Sequence, residues 1–122
     1  APAYRLAAQS VAPGLWVVRG ADEPIAMANG GAIANIGIIA TAAGAVLIDA
    51  GPSHRYGSAL AGLARRLTGK AVARVYLTHL HPDHSFGASA FPADRVAATR
   101  AVADQVKGDA AGFSAGLYRL LG

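Results

Sequence analysis

Short apolar runs separated by turn residues predict that the chain begins with β-strands. Four such runs cover Tyr4–Val11, Leu15–Arg19, Ile36–Ala40 and Ala45–Asp49. Pro13 and Gly14 form a turn pair between the first two runs, because proline presets φ and glycine tolerates positive φ. Residues 41–44 join the last two runs and are short enough to predict a compact hairpin. By contrast, Ala21–Ala34 has no helical period and contains Asn29-Gly30-Gly31, so we expect a loop or irregular hairpin there.

The apolar spacing becomes helical after Ser53, which is a favourable N-cap residue. The positions that recur at this spacing are Tyr56, Leu60, Leu63, Ala64 and Leu67. Gly69 should end the helix, and Val72–Thr78 reads as the next strand. The order strand, helix, strand predicts a right-handed βαβ unit with a parallel strand pair.

The remaining part of the chain predicts shorter elements. They are a short helix over Ser85–Ala90, a strand over Arg95–Ala98, a helix from Thr99 to about Lys107 and a final helix over Asp109–Leu121. Gly112 and Gly116 weaken the final helix, because glycine is a poor helix former.

Composition narrows the classes of function. The chain has 122 residues, of which 53% are hydrophobic, so one domain with a substantial core is expected. No apolar stretch reaches the roughly 18 residues of a membrane span. Eleven basic and seven acidic residues give a net charge of +4, but the basic residues are scattered, so we expect no nucleic-acid partner.

The cellular compartment is only weakly indicated by the sequence. The chain contains no cysteine, which fits both a reducing and an oxidising compartment. It begins Ala1-Pro2-Ala3 without an initiator methionine, as a mature protein does after signal-peptide removal. We therefore favour a periplasmic or secreted protein slightly over a cytoplasmic one.

The segment after the predicted parallel strand concentrates metal-binding residue types. Its ligand-type residues are His79, His81, Asp83 and His84, which include three of the four histidines in the chain. Imidazoles and carboxylates suit zinc and other first-row divalent ions, whereas thiolate sites are excluded here. A polar loop whose histidines merely cap a strand is the alternative. Four such residues in the order H-x-H-x-D-H favour a metal site at the strand's carboxyl end, where open α/β sheets place their sites.

This motif resembles the signature of the metallo-β-lactamase-fold hydrolases. The resemblance extends upstream, because the paired runs Asn35–Ile39 and Ala45–Gly51 look like the strands that end in an Asp-x-Gly turn in that family. Pro82 and the Phe86-Gly87 pair resemble the corresponding residues of bacterial periplasmic hydrolases linked to quinoprotein systems.

The resemblance implies a binuclear zinc hydrolase. His79 and His81 would bind one ion, and Asp83 and His84 would bind a second; iron or manganese are the alternative metals. Metal-bound hydroxide would attack an ester, thioester, lactam or phosphodiester of a small-molecule substrate. Asp83 would also act in catalysis, by orienting the nucleophilic water or passing on its proton.

Two further residues are candidates for supporting roles. The resemblance makes Asp49 a partner that orients a metal-bound histidine, and a turn-capping aspartate is the alternative. His54 follows the same turn and would lie on the rim of the site, or simply be an exposed histidine at a helix start.

The resemblance also implies that residues 1–122 are only the amino-terminal half of a metallo-β-lactamase-like domain. The expected fold is α/β: half of an αββα sandwich, with a mixed sheet and helices on one face. Each ion would have two ligands from this chain, although catalytic zinc normally has about three. A carboxy-terminal half or a second copy of the chain should cover the other face. The full-length protein would be an enzyme, and the alternative for this chain is a non-catalytic metal-binding or assembly module.

Overall fold

The computed structural model describes residues 4–79, 81–102 and 104. Its strands are β1 (Ala8–Ala12), β2 (Leu15–Val18), β3 (Ile36–Thr41), β4 (Gly44–Ile48), β5 (Val72–Leu77) and β6 (Val96–Ala98). The helices are α1 (His54–Thr68) and α2 (Pro82–Ser85), and 3₁₀ turns cover Met27–Asn29, Phe86–Ala90 and Ala93–Arg95. All six strands form one sheet in the order β1-β2-β3-β4-β5-β6.

The sheet is mixed, as the sequence predicts. Neighbouring strands from β1 to β4 are antiparallel. Short turns join β1 to β2 and β3 to β4, whereas a longer loop over residues 19–35 joins β2 to β3. The β4–β5 and β5–β6 pairs are parallel. Helix α1 connects β4 to β5, so the predicted strand, helix, strand unit is confirmed, and the carboxyl ends of β4 and β5 lie side by side.

Helix α1 begins and ends where its capping residues predict. The Ser53 side chain accepts a hydrogen bond from the backbone N–H of Tyr56 at 3.1 Å. At the other end, Gly69 has φ 74°, and its N–H donates to the carbonyl of Arg65 at 2.8 Å. Both caps satisfy backbone groups that a helix terminus would leave without partners. The apolar stripe of α1 packs on the sheet, where Leu60 is fully buried.

The two faces of the sheet differ in burial. Ile38, Leu47 and Val75 are aligned across β3, β4 and β5 and are each 0% exposed. Because side chains alternate between the faces of a strand, the intervening residues point the other way. On that outer face lie Leu15, Val17, Ile39, Val46, Ile48 and Tyr76, which are all partly or fully exposed. The described part of the chain thus buries one face of the sheet and leaves the other partly exposed, and the expected cover of that face by another polypeptide stays a prediction.

Several predicted boundaries shift by a few residues. Strand β1 begins at Ala8 instead of Tyr4, because the Tyr4 hydroxyl donates to the carbonyl of Gly30 at 2.6 Å and draws this segment onto the loop before β3. The predicted helix after Thr99 has its start in the structure, where the Thr99 hydroxyl accepts from the N–H of Val102 at 3.3 Å. The final helix predicted over Asp109–Leu121 lies outside the described residues. None of the helices described is both long and apolar enough to cross a bilayer.

Candidate metal centre

Asp49 follows strand β4 in an unusual backbone conformation. Its φ of 66° lies in the left-handed region and is the one positive φ of a non-glycine residue among those described. Its side chain is almost fully buried, at 4% exposure of the residue. Its N–H donates to the carbonyl of Tyr76 at 2.8 Å, which ties the turn to the end of β5. Such conformations cost energy and persist where the surroundings hold them, often at functional sites.

The carboxylate of Asp49 accepts three hydrogen bonds. The backbone N–H and the hydroxyl of Thr78 donate to its two oxygens at 2.8 and 2.7 Å. Nδ1 of His84 lies 2.9 Å from Oδ2, the oxygen that also accepts from the Thr78 hydroxyl. A carboxylate can only accept, so Nδ1 of His84 carries the proton in this contact. These bonds offset the cost of burying a charge and fix the orientation of the His84 ring.

Two further imidazole rings, those of His79 and His81, lie beside the Asp49–His84 pair. The ring centroid of His79 lies 4.1 Å from that of His81 and 5.2 Å from that of His84. Nε2 of His84, the nitrogen opposite Asp49, lies 3.4 Å from Oδ2 of Asp83. The structure therefore brings together all four residues of the H-x-H-x-D-H motif, with Asp49 behind one of them.

Main-chain hydrogen bonds hold the motif against the turn after β4. The N–H groups of His84 and Ser85 both donate to the carbonyl of His81, at 3.0 and 3.1 Å, forming helix α2 with proline at its start. The N–H of Ala50 then donates to the carbonyl of His84 at 2.8 Å. The N–H of Gly87 donates to the carbonyl of Gly51, also at 2.8 Å. Backbone hydrogen bonds thus join the two loops, in addition to the side-chain bond between Asp49 and His84.

Glycine is required at the closest approach of these loops. A Cβ on Gly87 would lie 1.9 Å from the carbonyl oxygen of Ala50, which is far inside van der Waals contact. The close approach to the Ala50 carbonyl is therefore sufficient by itself to require glycine at position 87 in the Phe86-Gly87 pair.

The hydrogen bond that the structure shows for His54 is not to any of the three clustered histidines. Its Nδ1 is 3.3 Å from the hydroxyl oxygen of Ser89, and the residue is exposed at the start of α1. Ser89 belongs to the 3₁₀ turn that follows the motif, so His54 lies near the outer end of this loop.

The donor chemistry fits a divalent metal, but the arrangement is incomplete. Imidazole nitrogens and a carboxylate are the ligands that zinc prefers after thiolate, and the contact between Asp49 and His84 is the carboxylate–histidine pairing typical of metal sites. No group of three or more His, Asp or Glu side chains within residues 4–79, 81–102 and 104 is placed so that it could hold an ion by itself.

Sequence reasoning missed two features of this site. The strand pattern places Thr78 only at the end of a strand, although a hydroxyl directly before the histidines can donate a hydrogen bond to a buried carboxylate. The left-handed backbone of Asp49 was also not foreseen. Its signal was the Asp-Ala-Gly order after a buried strand, since aspartate is among the non-glycine residues that tolerate this conformation.

Comparison with known proteins agrees with this geometry. The family model described as the metallo-beta-lactamase superfamily matches residues 29–112. No curated protein matches the chain.

Solved structures share the fold at low sequence identity. A metallo-beta-lactamase from Erythrobacter litoralis aligns at 17% identity with a TM-score of 0.69, over 86% of this chain and 46% of that one. The metallo-beta-lactamase FIM-1 from Pseudomonas aeruginosa, in its mono-zinc form, aligns at 16% identity with a TM-score of 0.71, over 89% and 49% respectively. The chain thus spans about half the length of these structures, and the expected partial fold is confirmed.

Proposed function

This chain belongs to the metallo-β-lactamase superfamily, whose model matches residues 29–112, and we propose that it supplies the His79–His84 segment to the metal centre of a zinc-dependent hydrolase. His79 and His81 would hold one ion, and Asp83 and His84 a second. Substrates in this proposal are small molecules with an ester, thioester, lactam or phosphodiester bond.

The pairing of Asp49 with His84 carries the proposal. With the proton of His84 held at Nδ1 by the carboxylate at 2.9 Å, the lone pair of the neutral ring lies at Nε2. That nitrogen faces Asp83, whose Oδ2 is 3.4 Å away, so two donors converge from adjacent residues. A histidine serving only as a helix cap would need neither the buried aspartate nor the open Nε2.

The chain's own residues would hold ligands and manage protons. Bound zinc supplies Lewis acidity and lowers the pKa of a water ligand to about 7. Asp83 has a carboxylate oxygen near the cluster that can accept a proton from a nucleophilic water. Asp49 would keep the His84 ring fixed, so that Nε2 does not rotate away from its ligand position.

Completion of the centre requires groups beyond those described. Catalytic zinc normally has about three protein ligands, whereas each proposed ion receives two from this segment. The outer face of the sheet also exposes apolar residues such as Val46 and Tyr76. We propose that a carboxy-terminal half or a second copy of the chain covers this face and adds the missing ligands.

Metal analysis and a substrate panel test the proposal. Purified protein should contain zinc, iron or manganese by plasma mass spectrometry, and added zinc should raise its melting temperature. With zinc present, at least one of nitrocefin, a thioester, a lactone and a phosphodiester should be hydrolysed. Absence of bound metal together with no thermal stabilisation would contradict the metal site itself.

A non-catalytic metal-binding or assembly module is the second candidate. It is favoured by the absence, among the described residues, of any three-ligand group able to hold an ion. The same experiments separate the two functions. Metal binding without turnover of any substrate in the panel would support the module, and turnover that disappears on chelation would support the hydrolase.

A further inference from the structure

A cavity of about 530 Å³ lies beside the first turn of helix α1, where Tyr56 lines it. Its wall is formed by the segment before β1, by strands β1 and β2, and by the loop that precedes β3. Of the motif residues that the structure describes, 79 and 81–84, none lines it. Its volume falls within the range of small-molecule binding sites, which is roughly 300–1,000 Å³.

Hydrogen bonds of Tyr4 and Asn29 hold the wall of the cavity together. The Tyr4 hydroxyl donates to the carbonyl of Gly30 at 2.6 Å and lies 3.3 Å from the Ser53 hydroxyl. The loop approaches closely here, because a Cβ on Gly30 would lie 2.9 Å from the Tyr4 ring. Within the loop, Oδ1 of Asn29 accepts hydrogen bonds from the backbone N–H groups of Ala26 and Gly31, at 3.0 and 2.9 Å. The wall is therefore a fixed structure.

Tyr56 lines this cavity, and its hydroxyl has no hydrogen-bond partner among the described residues. The residue is 2% exposed, and its ring packs edge-on against Tyr4 with centroids 5.1 Å apart. No described residue gives its hydroxyl a hydrogen bond, yet no fully inaccessible side-chain oxygen lacks a partner. The hydroxyl therefore keeps a small accessible area, and Tyr56 is one of the residues that line this cavity. A buried hydroxyl without a partner is costly, so a ligand atom at this point would be stabilising.

Burial also keeps this hydroxyl neutral. Desolvation raises the pKa of the Tyr56 phenol above its ordinary value, and Tyr4 raises it further. The group is thus available as a hydrogen-bond donor across the physiological pH range.

The charge of the wall indicates the type of ligand. Arg5 and Arg19 both line the cavity, and no acidic residue does. Neither arginine forms an ion pair with a described residue. Glu23, an acidic residue of the loop before β3, accepts a hydrogen bond from the Asn29 side-chain amide at 3.0 Å. Apolar residues such as Leu6 and Val18 form much of the remaining lining, together with the polar residues Gln9 and Asn29.

We propose that this cavity binds a small organic anion, with its charged group on Arg5 and Arg19, a further oxygen on the Tyr56 hydroxyl, and a short apolar body along the wall. Guanidinium groups bind carboxylates and phosphates in the same planar, paired geometry. The site is independent of the proposed metal centre, because it shares no lining residue with the histidine motif.

Calorimetric titration with three probes of matched length tests the proposal. Hexanoate and hexyl phosphate should bind saturably, and the stronger of the two identifies the anionic group. Hexanamide has the same body without the charge and should bind about tenfold more weakly, in line with the value of a charged hydrogen bond. Equal binding of hexanamide, or no saturable binding of either anion up to about 10 mM, a limit just beyond millimolar affinity, would overturn the proposal.

Single substitutions then locate the site. Arg5→Gln and Arg19→Gln should each weaken anion binding about tenfold. Tyr56→Phe removes only the unpartnered hydroxyl, so it should weaken binding several-fold while leaving the melting temperature unchanged or slightly raised, since a buried hydroxyl without a partner is costly. Arg66→Gln, an exposed position on α1 away from the cavity, is the matched control and should bind as the parent protein does. An equal loss in the control would show non-specific attraction and contradict the proposal.

The titrations are run with and without added zinc. The affinity should be the same in both, since the cavity contains no residue of the histidine motif. Anion binding that appears only with zinc would place the ligand at the metal centre and overturn the inference.

Discussion

The carboxylate of Asp49 accepts a hydrogen bond from Nδ1 of His84 across 35 positions of sequence, with the two atoms 2.9 Å apart. The same carboxylate is held by Thr78 through two further bonds. His84 is therefore oriented by a group that is itself immobilised, which is the arrangement that a preorganised ligand requires.

We expect Asp49→Asn to weaken metal binding by about 10 to 100-fold, the usual cost of losing the partner behind a ligating histidine. Asparagine keeps the size and tolerates the left-handed backbone, so the fold should persist. Competition with a chromophoric chelator measures the change, and Asp22→Asn on the exposed loop is the control. Unchanged affinity in the Asp49 variant would show that this carboxylate only caps its turn.

His79→Ala and His81→Ala should each abolish stoichiometric metal binding, because each removes one of only two ligands to an ion in the proposed centre. His54→Ala is the matched control, since its described hydrogen bond is to Ser89. The metal content of the purified variants, measured by plasma mass spectrometry, checks this. Equal metal loss in all three variants would mean that the ligand assignment is wrong.

Two glycines with positive φ should respond differently to alanine. Gly69 has φ 74° and nothing within 4 Å of an added Cβ, so Gly69→Ala should cost only about 1 kcal/mol of backbone strain. Gly51 has φ 84°, and its Cβ would lie 2.1 Å from the Tyr56 ring. Gly51→Ala should therefore cost about 3 kcal/mol or more, as strain and overpacking add. Urea unfolding of both variants measures the difference, and similar losses would contradict the close packing of Tyr56 on this turn.

The outer face of the sheet should be a contact surface. If another polypeptide covers it, Val46→Lys should disrupt that association, because it places a charge in an apolar interface. Ser58→Lys, on an exposed position of α1, should not. Light scattering over a dilution series, with mass spectrometry for any companion fragment, checks this. A well-folded monomer at micromolar concentration without a companion would refute the expected partner.

The elements that sequence predicted well are those with local signals. Ser53 and Gly69 mark the ends of α1, and both act through groups within four residues along the chain. The parallel β4–β5 pair followed from the helix between the two strands. The motif after β5 identified all four clustered residues because they are adjacent in sequence.

The features that sequence did not predict depend on distant contacts. Thr78 meets Asp49 across 29 positions, and Tyr4 meets Gly30 across 26. The predicted start of β1 at Tyr4 was wrong because Tyr4 instead contacts Gly30. No periodicity in the sequence encodes such meetings, since they arise only once the sheet has brought separate loops to one edge.

The backbone bonds from Ala50 to His84 and from Gly87 to Gly51 have an evolutionary consequence. They do not depend on which side chains the motif carries, so the loop should keep its path when a ligand is replaced. A lineage with this scaffold is free to exchange one donor for another, and so to change its preferred ion or reaction, without redesigning the surrounding fold.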